Sequence, residues 1–278
     1  MAVTIDQAFV KQFEKDVHMA YQRMGSKLRG TVRNVNNVKG ATAVFQKVGK
    51  GTAGTKSHHG LVPTMNLSHN YVECSVEDYY AGDWIDRFDE LKINHDERQV
   101  IANAGAYALG RKTDELIINA LAKASDLTVL NNDIGMTIEK VLEAFELLGK
   151  NDIPDDGQRY AIIGWKQWSE LLKLDEFSSS DYIGEDELPW QGSQAKRWLG
   201  TVWIPHSGLP IDANDIRSCF WFHKTAVGHA SGSDVQTDVT WHGERASHFV
   251  NNMMSQGAEL IDGGGIVVIE ADETPDAT

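Results

Sequence analysis

The chain has 278 residues, 41% hydrophobic content and a formal charge of −14. That length accommodates a real core in one large domain or two smaller ones, and the acidic balance excludes gripping nucleic acid by phosphate neutralisation, which needs a basic surface. No apolar run nears the roughly 20 residues of a membrane span, the first residues lack the basic and apolar regions of a signal peptide, and two distant cysteines, Cys74 and Cys219, suggest neither a disulfide framework nor a zinc site. The expectation is a globular chain that stays in the cytoplasm where it is made.

From the N-terminus, Thr4 to Leu28 reads as an amphipathic helix, with Phe9, Phe13, Val17, Tyr21, Met24 and Leu28 recurring at helical steps and Thr4 with Gln7 in capping-box spacing. Gly30 to Gly40 is polar and extended without a core of its own, so the whole segment reads as an arm laid on another body. Asp6, Glu14 and Asp16 weaken the alternative of a helix lying on an anionic membrane.

Ala41 to Val48 alternates as a strand, and Tyr71 to Asp78 alternates again with Val72, Cys74 and Val76 on one face. The intervening stretch is rich in Gly, Ser, Thr and His. A structureless connection of about twenty residues is uncommon within a compact domain, and a lone two-stranded hairpin is marginal in water. The hairpin therefore needs a neighbouring body, which assembly would supply.

Gly49, Gly51 and Gly54 match a dinucleotide-loop spacing, but such a loop must open a helix whose N-terminus meets the anion. Gly60 and Pro63 and the absence of a helical period argue for a flexible hairpin tip instead. His58, His59 and His69 have no carboxylate at ligand spacing, so solvated loop histidines are expected and no metal or cofactor is assigned.

Trp84, Ile85, Phe88 and Leu91 are expected core contacts on the descent into the longest helical signal, Asn94 to Ala124, roughly 45 Å at 1.5 Å per residue. Asn94 and Glu97 fit a capping box. Val100, Ile101, Ala104 and Ala108 form one apolar stripe, and Leu116, Ile117, Leu121 and Ala124 a second. Arg111, Lys112, Asp114 and Glu115 interrupt them, and the small residues between Ala102 and Gly110 allow a close backbone approach.

Ser125 to Gly135 reads as a polar linker. Beyond it Ile138 to Leu148 and Trp165 to Leu172 are expected helices, and Tyr160 to Ile163, Val202 to Ile204 and Cys219 to Phe222 expected strands, together a mixed sheet with flanking helices. Asp175 to Glu187 lacks the ligand alternation and central Gly of a calcium loop and reads as an exposed acidic loop. Val235 to Trp241 is an expected strand, Glu244 to Met254 an expected short helix, and Ala258 to Ile261 with Ile266 to Glu270 an expected hairpin across Asp262 to Gly265. The last residues read as frayed. No nucleophile elbow, HExxH or local Cys–His pattern occurs, so no catalytic residue is assigned.

The order of these elements, an arm, an extended hairpin, a long helix, a mixed domain and terminal strands, resembles the major capsid proteins of tailed bacteriophages, the Hong Kong 97 fold. The resemblance is carried by Leu147-Leu148 through Ile153-Pro154, Arg159, Ile162-Ile163, Trp168 and Leu171-Leu172. Gly200-Thr201-Val202 to Ser207-Gly208-Leu209-Pro210, Phe222-His223-Lys224 with Ala226 and Gly228, and Gly257-Ala258-Glu259-Leu260-Ile261 add to it.

The resemblance implies an α+β fold with an N-terminal arm at 1–39, an extended loop at 40–75, a peripheral domain at 76–130 and 236–278 on the long helix, and an axial domain at 131–235 around pentamer and hexamer centres. It implies a virion subunit, assembled in the host cytoplasm, that encloses double-stranded DNA. Its partners would be its own copies, a separate scaffolding protein, a portal and a decoration or cement protein, with no enzyme activity and no membrane. Phe9, Phe13, Val17, Tyr21, Phe45, Lys47, Lys50, Lys56, His58 and His59 are the expected contacts between subunits. Some relatives crosslink a loop Lys to a neighbour's Asn; Lys47, Lys50 or Lys56 with Asn251 or Asn252 would be the counterparts, without a visible environment for the reaction. An encapsulin-like compartment is the alternative within the fold, and a nucleotide- or metal-dependent enzyme using Gly49 to His59 the alternative outside it.

Overall fold

The apolar runs at Arg159–Ile163, Thr201–Pro205, Ile216–His223 and Ile266–Asp272 join one sheet in the computed structural model, which describes residues 25–88, 97–174, 177 and 196–274. The expected arm helix before Gly25, Asn94 and the acidic loop therefore lie outside the described residues, as do Phe9, Phe13, Val17, Tyr21 and Leu91.

The described strands are β1 (Arg33–Asn36), β2 (Thr42–Val48), β3 (His69–Ser75), β4 (Glu77–Asp86), β5 (Thr128–Val129), β6 (Arg159–Ile163), β7 (Lys196–Trp198), β8 (Thr201–Pro205), β9 (Ile216–His223), β10 (Val227–His242), β11 (Ser247–Leu260) and β12 (Ile266–Asp272). The helices are α1 (Glu97–Leu121), α2 (Ile138–Lys150) and α3 (Trp165–Leu171). The chain divides into two units: Met1–Ser26, Asp78–Lys112 and Asp234–Ser255 form the first, and Lys27–Glu77, Thr113–Ser233 and Gln256–Thr278 the second.

In the second unit a six-stranded mixed sheet runs in the order β5-β12-β9-β6-β8-β7. Antiparallel β12 and β9 are in register from Ile266↔Phe222 to Asp272↔Ile216, and β6 pairs antiparallel with β9 and parallel with β8. Phe220, Trp221 and Phe222 are all buried, as expected of a strand covered on both faces. Trp203 and Trp221 meet edge to face at 5.0 Å, and their indole N–H groups donate to the Trp198 carbonyl and the Thr201 hydroxyl, both at 3.0 Å. Satisfying those donors is the condition for burying Trp without a desolvation penalty. Helix α2 is capped by Thr137 and buries Val141, Ala144 and Leu148, packing on β12 and β5.

Several expectations give way here. The polar linker after α1 contains β5, parallel to β12, and Val129 is buried. It is fastened by Lys140, whose Nζ donates to the carbonyls of Asn131 (2.6 Å), Ile134 (2.6 Å) and Glu270 (2.9 Å), while burial pushes its pKa down. A lysine at a helix position reads as solvated from sequence; three convergent carbonyls overrule that. The final two strands are not a hairpin: Asp262 accepts from Gly264 N (3.1 Å) and the chain turns through a 3-10 segment, Gly263–Gly265, after which β12 pairs with β9 and β5. The strand also continues past Glu270 to Asp272, and Glu273 beyond it is ion-paired. Upstream, Gly25 to Leu28 is not helical and leads into a 3-10 turn, Arg29–Thr31, and β1, which pairs parallel with the start of β10. Val32 is fully buried, so this stretch has a core of its own.

In the first unit, β4 and the outer parts of β11 and β10 are neighbours in a sheet. The expected helix Glu244 to Met254 is instead β11. Its buried face carries Val250, Asn252, Met254 and, in the second unit, Gln256; two polar residues on the inward face hide the period of two from a hydrophobicity reading. Asn252 donates to the Ala81 carbonyl (3.2 Å) and accepts from Thr237 Oγ1 (2.6 Å). The descent after Tyr80 is strand to Asp86. Ile85 is buried as expected, but Phe88 is exposed and Trp84 lies at the surface between Phe249, His242 and the Arg245 guanidinium.

The first part of α1 lines a groove with Ala81, Gly82 and Asp83 through Ile101, Ala104, Gly105 and Ala108. The close approach expected in this helix occurs at Gly105, where a Cβ would overlap Asn252 Nδ2 and lie 3.0 Å from the Ala81 carbonyl oxygen. In the second unit, Ile117, Leu121 and Ala124 are buried as expected, whereas Asp114 joins the core instead of breaking the stripe.

Candidate assembly surfaces

Strands β2 and β3 pair antiparallel from Thr42↔Ser75 to Val48↔His69, leaving residues 49–68 as a long tip without regular strand or helix. Alternation sends Ala43, Phe45 and Cys74 to one face, where they pack with Ala230 and Ile261 of the same chain. Phe45 lies over Gly228, where any Cβ would overlap its ring. The root of the hairpin is therefore supported by its own subunit, a correction to the expectation that only a neighbour supplies its base. Phe45, expected between subunits, is buried within one.

The opposite face carries Val44, Gln46 and Val48 with their cross-strand partners Glu73, Tyr71 and His69 and is bare; Tyr71 is 67% exposed. On the tip, Leu61 is 95% and Val62 73% exposed, with Met65 and Leu67 also outward. Scattered exposed apolar residues need no explanation, but this many on one projection mark an interaction surface. Between Thr42 and Val72 there is no acidic residue, while Lys47, Lys50 and Lys56 are present in a chain of charge −14. An apolar, locally basic projection on an acidic subunit suits contact with an acidic copy of the same chain.

Among the expected contact residues, Lys47 pairs with Asp262 at 2.9 Å and Lys50 with Asp152 at 3.2 Å, both within the chain. Lys56, His58 and His59 are exposed on the tip, the two imidazole centroids 4.1 Å apart and His59 at φ +63. Among the described residues no three His, Cys, Asp or Glu side chains gather into a metal-holding group. The glycine-rich tip opens no helix, so the anion-binding geometry a dinucleotide loop requires is missing. Asn252 is buried with its amide committed, which removes it as a crosslinking acceptor. Both thiols are buried, and burial pushes Cys74 up to about 11 and Cys219 up to about 12, so neither offers a reactive thiolate.

In the first unit, Val235, Val239 and Trp241 alternate on one face of outer β10 and are each at least 40% exposed. That surface and the apolar face of the hairpin were missed in the sequence because alternation marks a strand's two faces without telling which one the subunit covers. The absence of acids between Thr42 and Val72 was the available signal for the hairpin.

Comparison with known proteins follows from this geometry. A family profile described as phage capsid protein matches residues 5–273. The capsid of cyanophage P-SCSP1u superposes with a TM-score of 0.74 at 16% identity, over 96% of this chain and 94% of that one. The capsid of Ralstonia phage GP4 gives 0.72 at 11%, over 100% and 99%. A chain of Mycobacterium phage Che8 gives 0.71 at 16%, over 95% and 97%. Comparison with curated proteins finds no match.

Proposed function

This chain belongs to the phage capsid protein family and has its α+β Hong Kong 97-like fold, and from that premise we propose that it is the major capsid protein of a tailed bacteriophage, assembling as pentamers and hexamers into an icosahedral shell around double-stranded DNA. The observation that carries this reading is the two-faced hairpin: one side sunk in its own subunit, the other exposed and rich in apolar side chains up to an acid-free tip. We assign residues 1–39 to an arm, held in its own subunit from Lys27 onward, and 40–75 to an extended loop rooted in its own subunit, the rest of each reaching across copies, with 76–130 and 236–278 peripheral and 131–235 axial. The loop contacts run through Val44, Val48 and Tyr71 with Lys56, His58 and His59, and the arm contacts through Phe9, Phe13, Val17 and Tyr21.

Each such contact is modest, at about 25 cal/mol per Å² of apolar area buried, less the cost of ordering the loop. Closed symmetry repeats it over every copy. The acidic balance suits a container into which DNA is driven and which does not hold it by charge. The subunit acts with a scaffolding protein, a portal and a decoration protein in the host cytoplasm and resides in the virion; its work is structural and not catalytic. No observation favours a cargo compartment, and a nucleotide-dependent reading has no helix to receive the phosphate.

Electron microscopy of the purified full-length chain tests the proposal. Closed shells or capsomer rings are expected, and a Val44→Ser/Tyr71→Ser double variant should stay folded and lose them. A monodisperse monomer from the unaltered chain would overturn the reading, and normal shells from the double variant would overturn the role of the hairpin face.

A further inference from the structure

Helix α1 carries a carboxylate where its neighbours bury apolar side chains. Asp114 and His206 are both 0% exposed, with Nε2 of His206 3.2 Å from Oδ2 of Asp114. Nδ1 of His206 accepts from Gly208 N at 3.0 Å, so Nε2 holds the proton and points it at Asp114. The carboxylate also accepts from main-chain donors: Lys27 N at 3.1 and 3.2 Å, and Leu28 N at 3.0 Å. Leu28 is itself buried, and its carbonyl accepts from Thr31 N (2.9 Å) and Thr31 Oγ1 (2.7 Å).

The adjacent helix residue repeats the arrangement through a relay. Thr113 Oγ1 donates to Gln256 Oε1 (2.8 Å), which lies 3.2 Å from His229 Nε2; His229 Nδ1 is 3.0 Å from Asn34 Oδ1. Asn34 in turn donates through Nδ2 to the carbonyls of Arg29 (2.7 Å) and Val32 (3.2 Å). Thr113 and Asp114 thus grip both ends of the segment from Lys27 to Asn34. A hydrophobic side chain can bury Leu28, but only an acceptor aimed at two successive N–H groups fixes the peptide planes and hence the direction of the chain.

We propose that Asp114, oriented by His206, is a positioning residue that sets where the N-terminal segment leaves the subunit, and so whether residues 1–26 can reach a second copy. The proposal rests on the reading of residues 1–39 as an inter-subunit arm. A buried carboxylate is costly when it loses hydrogen-bond donors, so parting the segment from the helix would strip the Lys27 and Leu28 donors from a carboxylate that stays buried. The joint stays closed in the subunit and hands the arm a fixed starting direction.

Hydrogen exchange and shell yield on full-length Asp114→Asn test this. The substitution keeps the shape and removes the charge. Amides in the 25–32 peptide should exchange at least about tenfold faster, the 216–223 core peptide should be unchanged, and shell yield should fall at least about tenfold. Unchanged exchange at 25–32, faster exchange throughout the chain, or faster exchange at 25–32 with normal shells would each overturn the proposal. If Asp114→Asn does not fold, Lys27→Pro removes one of the segment's donors without touching the core; it should reduce shells with the core peptide still protected, and normal shells would overturn the proposal. A Phe9→Asp/Phe13→Asp variant separates the premise from the inference. It should lose shells while 25–32 stays protected, and normal shells from it would overturn the arm reading itself.

Discussion

The β9 strand and the β2–β3 hairpin are built from similar residues and use them in opposite ways. In β9, Phe220, Trp221 and Phe222 are all buried, each face of the strand covered by the same subunit. In the hairpin, Phe45 is buried while Val44, Val48 and Tyr71, of comparable hydrophobicity, face outward. The first region spends its apolar surface on folding. The second divides it, half holding the hairpin to its subunit and half left exposed to solvent. Sequence hydrophobicity is therefore a poor guide to which residues stabilise this subunit.

Paired truncations should expose the contrast most sharply. Trp221→Ala is expected to cost about 3–5 kcal/mol in urea unfolding, the range for a fully buried large side chain, whereas Tyr71→Ala should change stability by under about 0.5 kcal/mol. Equal losses would break the distinction. Gly257→Ala comes next: a Cβ there would overlap the Ser75 carbonyl oxygen, where β3 meets β11, and a loss of about 1–3 kcal/mol in the same assay is expected for such overpacking. Its lack of a Cβ is a requirement of the hairpin's sunken side, so the bare face should be indifferent to it.

The smallest effect concerns pH. Arg217 Nη2 donates to Glu273 Oε2 at 2.9 Å beside a second Nε contact, and that hydrogen bonding holds the Glu273 carboxyl below its ordinary value of 4.5. Because the folded pKa is the lower one, the stabilisation is present above about 4.5 and is lost as pH falls through the folded value. Acid unfolding of Arg217→Gln should lack this part of the slope below pH 4.5. An identical slope in both proteins would remove the pair from the sheet's stability. Lys50 and Asp152 are both over 80% exposed, and Lys50→Ala is expected to leave the unfolding midpoint unchanged.

Much of the fold was legible in order and spacing. Strands β2, β6, β8 and β9 and helices α1, α2 and α3 fall where hydrophobic period places them, and the mixed sheet follows from their alternation. Capsid-like phrases such as Leu147 to Leu172 were sufficient to point to the family. Several of the failures share one cause: polar residues that tertiary contacts bury. Asn252 and Gln256 made β11 look unlike a strand, and Asp114 looked like a solvated break in a helix stripe. Each is a polar side chain whose partners come from distant sequence, and no local period encodes a partner.

By itself the sequence determined what local geometry determines: where the helices lie, where strands alternate, and that the Gly49 to Gly60 tip opens no helix. Only the tertiary structure decided which face of the hairpin is spent inside the subunit, that the last two strands join different partners, and that Asp114 holds the root of the N-terminal segment. The physical reason is that propensity acts within a few residues, whereas burial and hydrogen-bond satisfaction are properties of whatever the folded chain brings together.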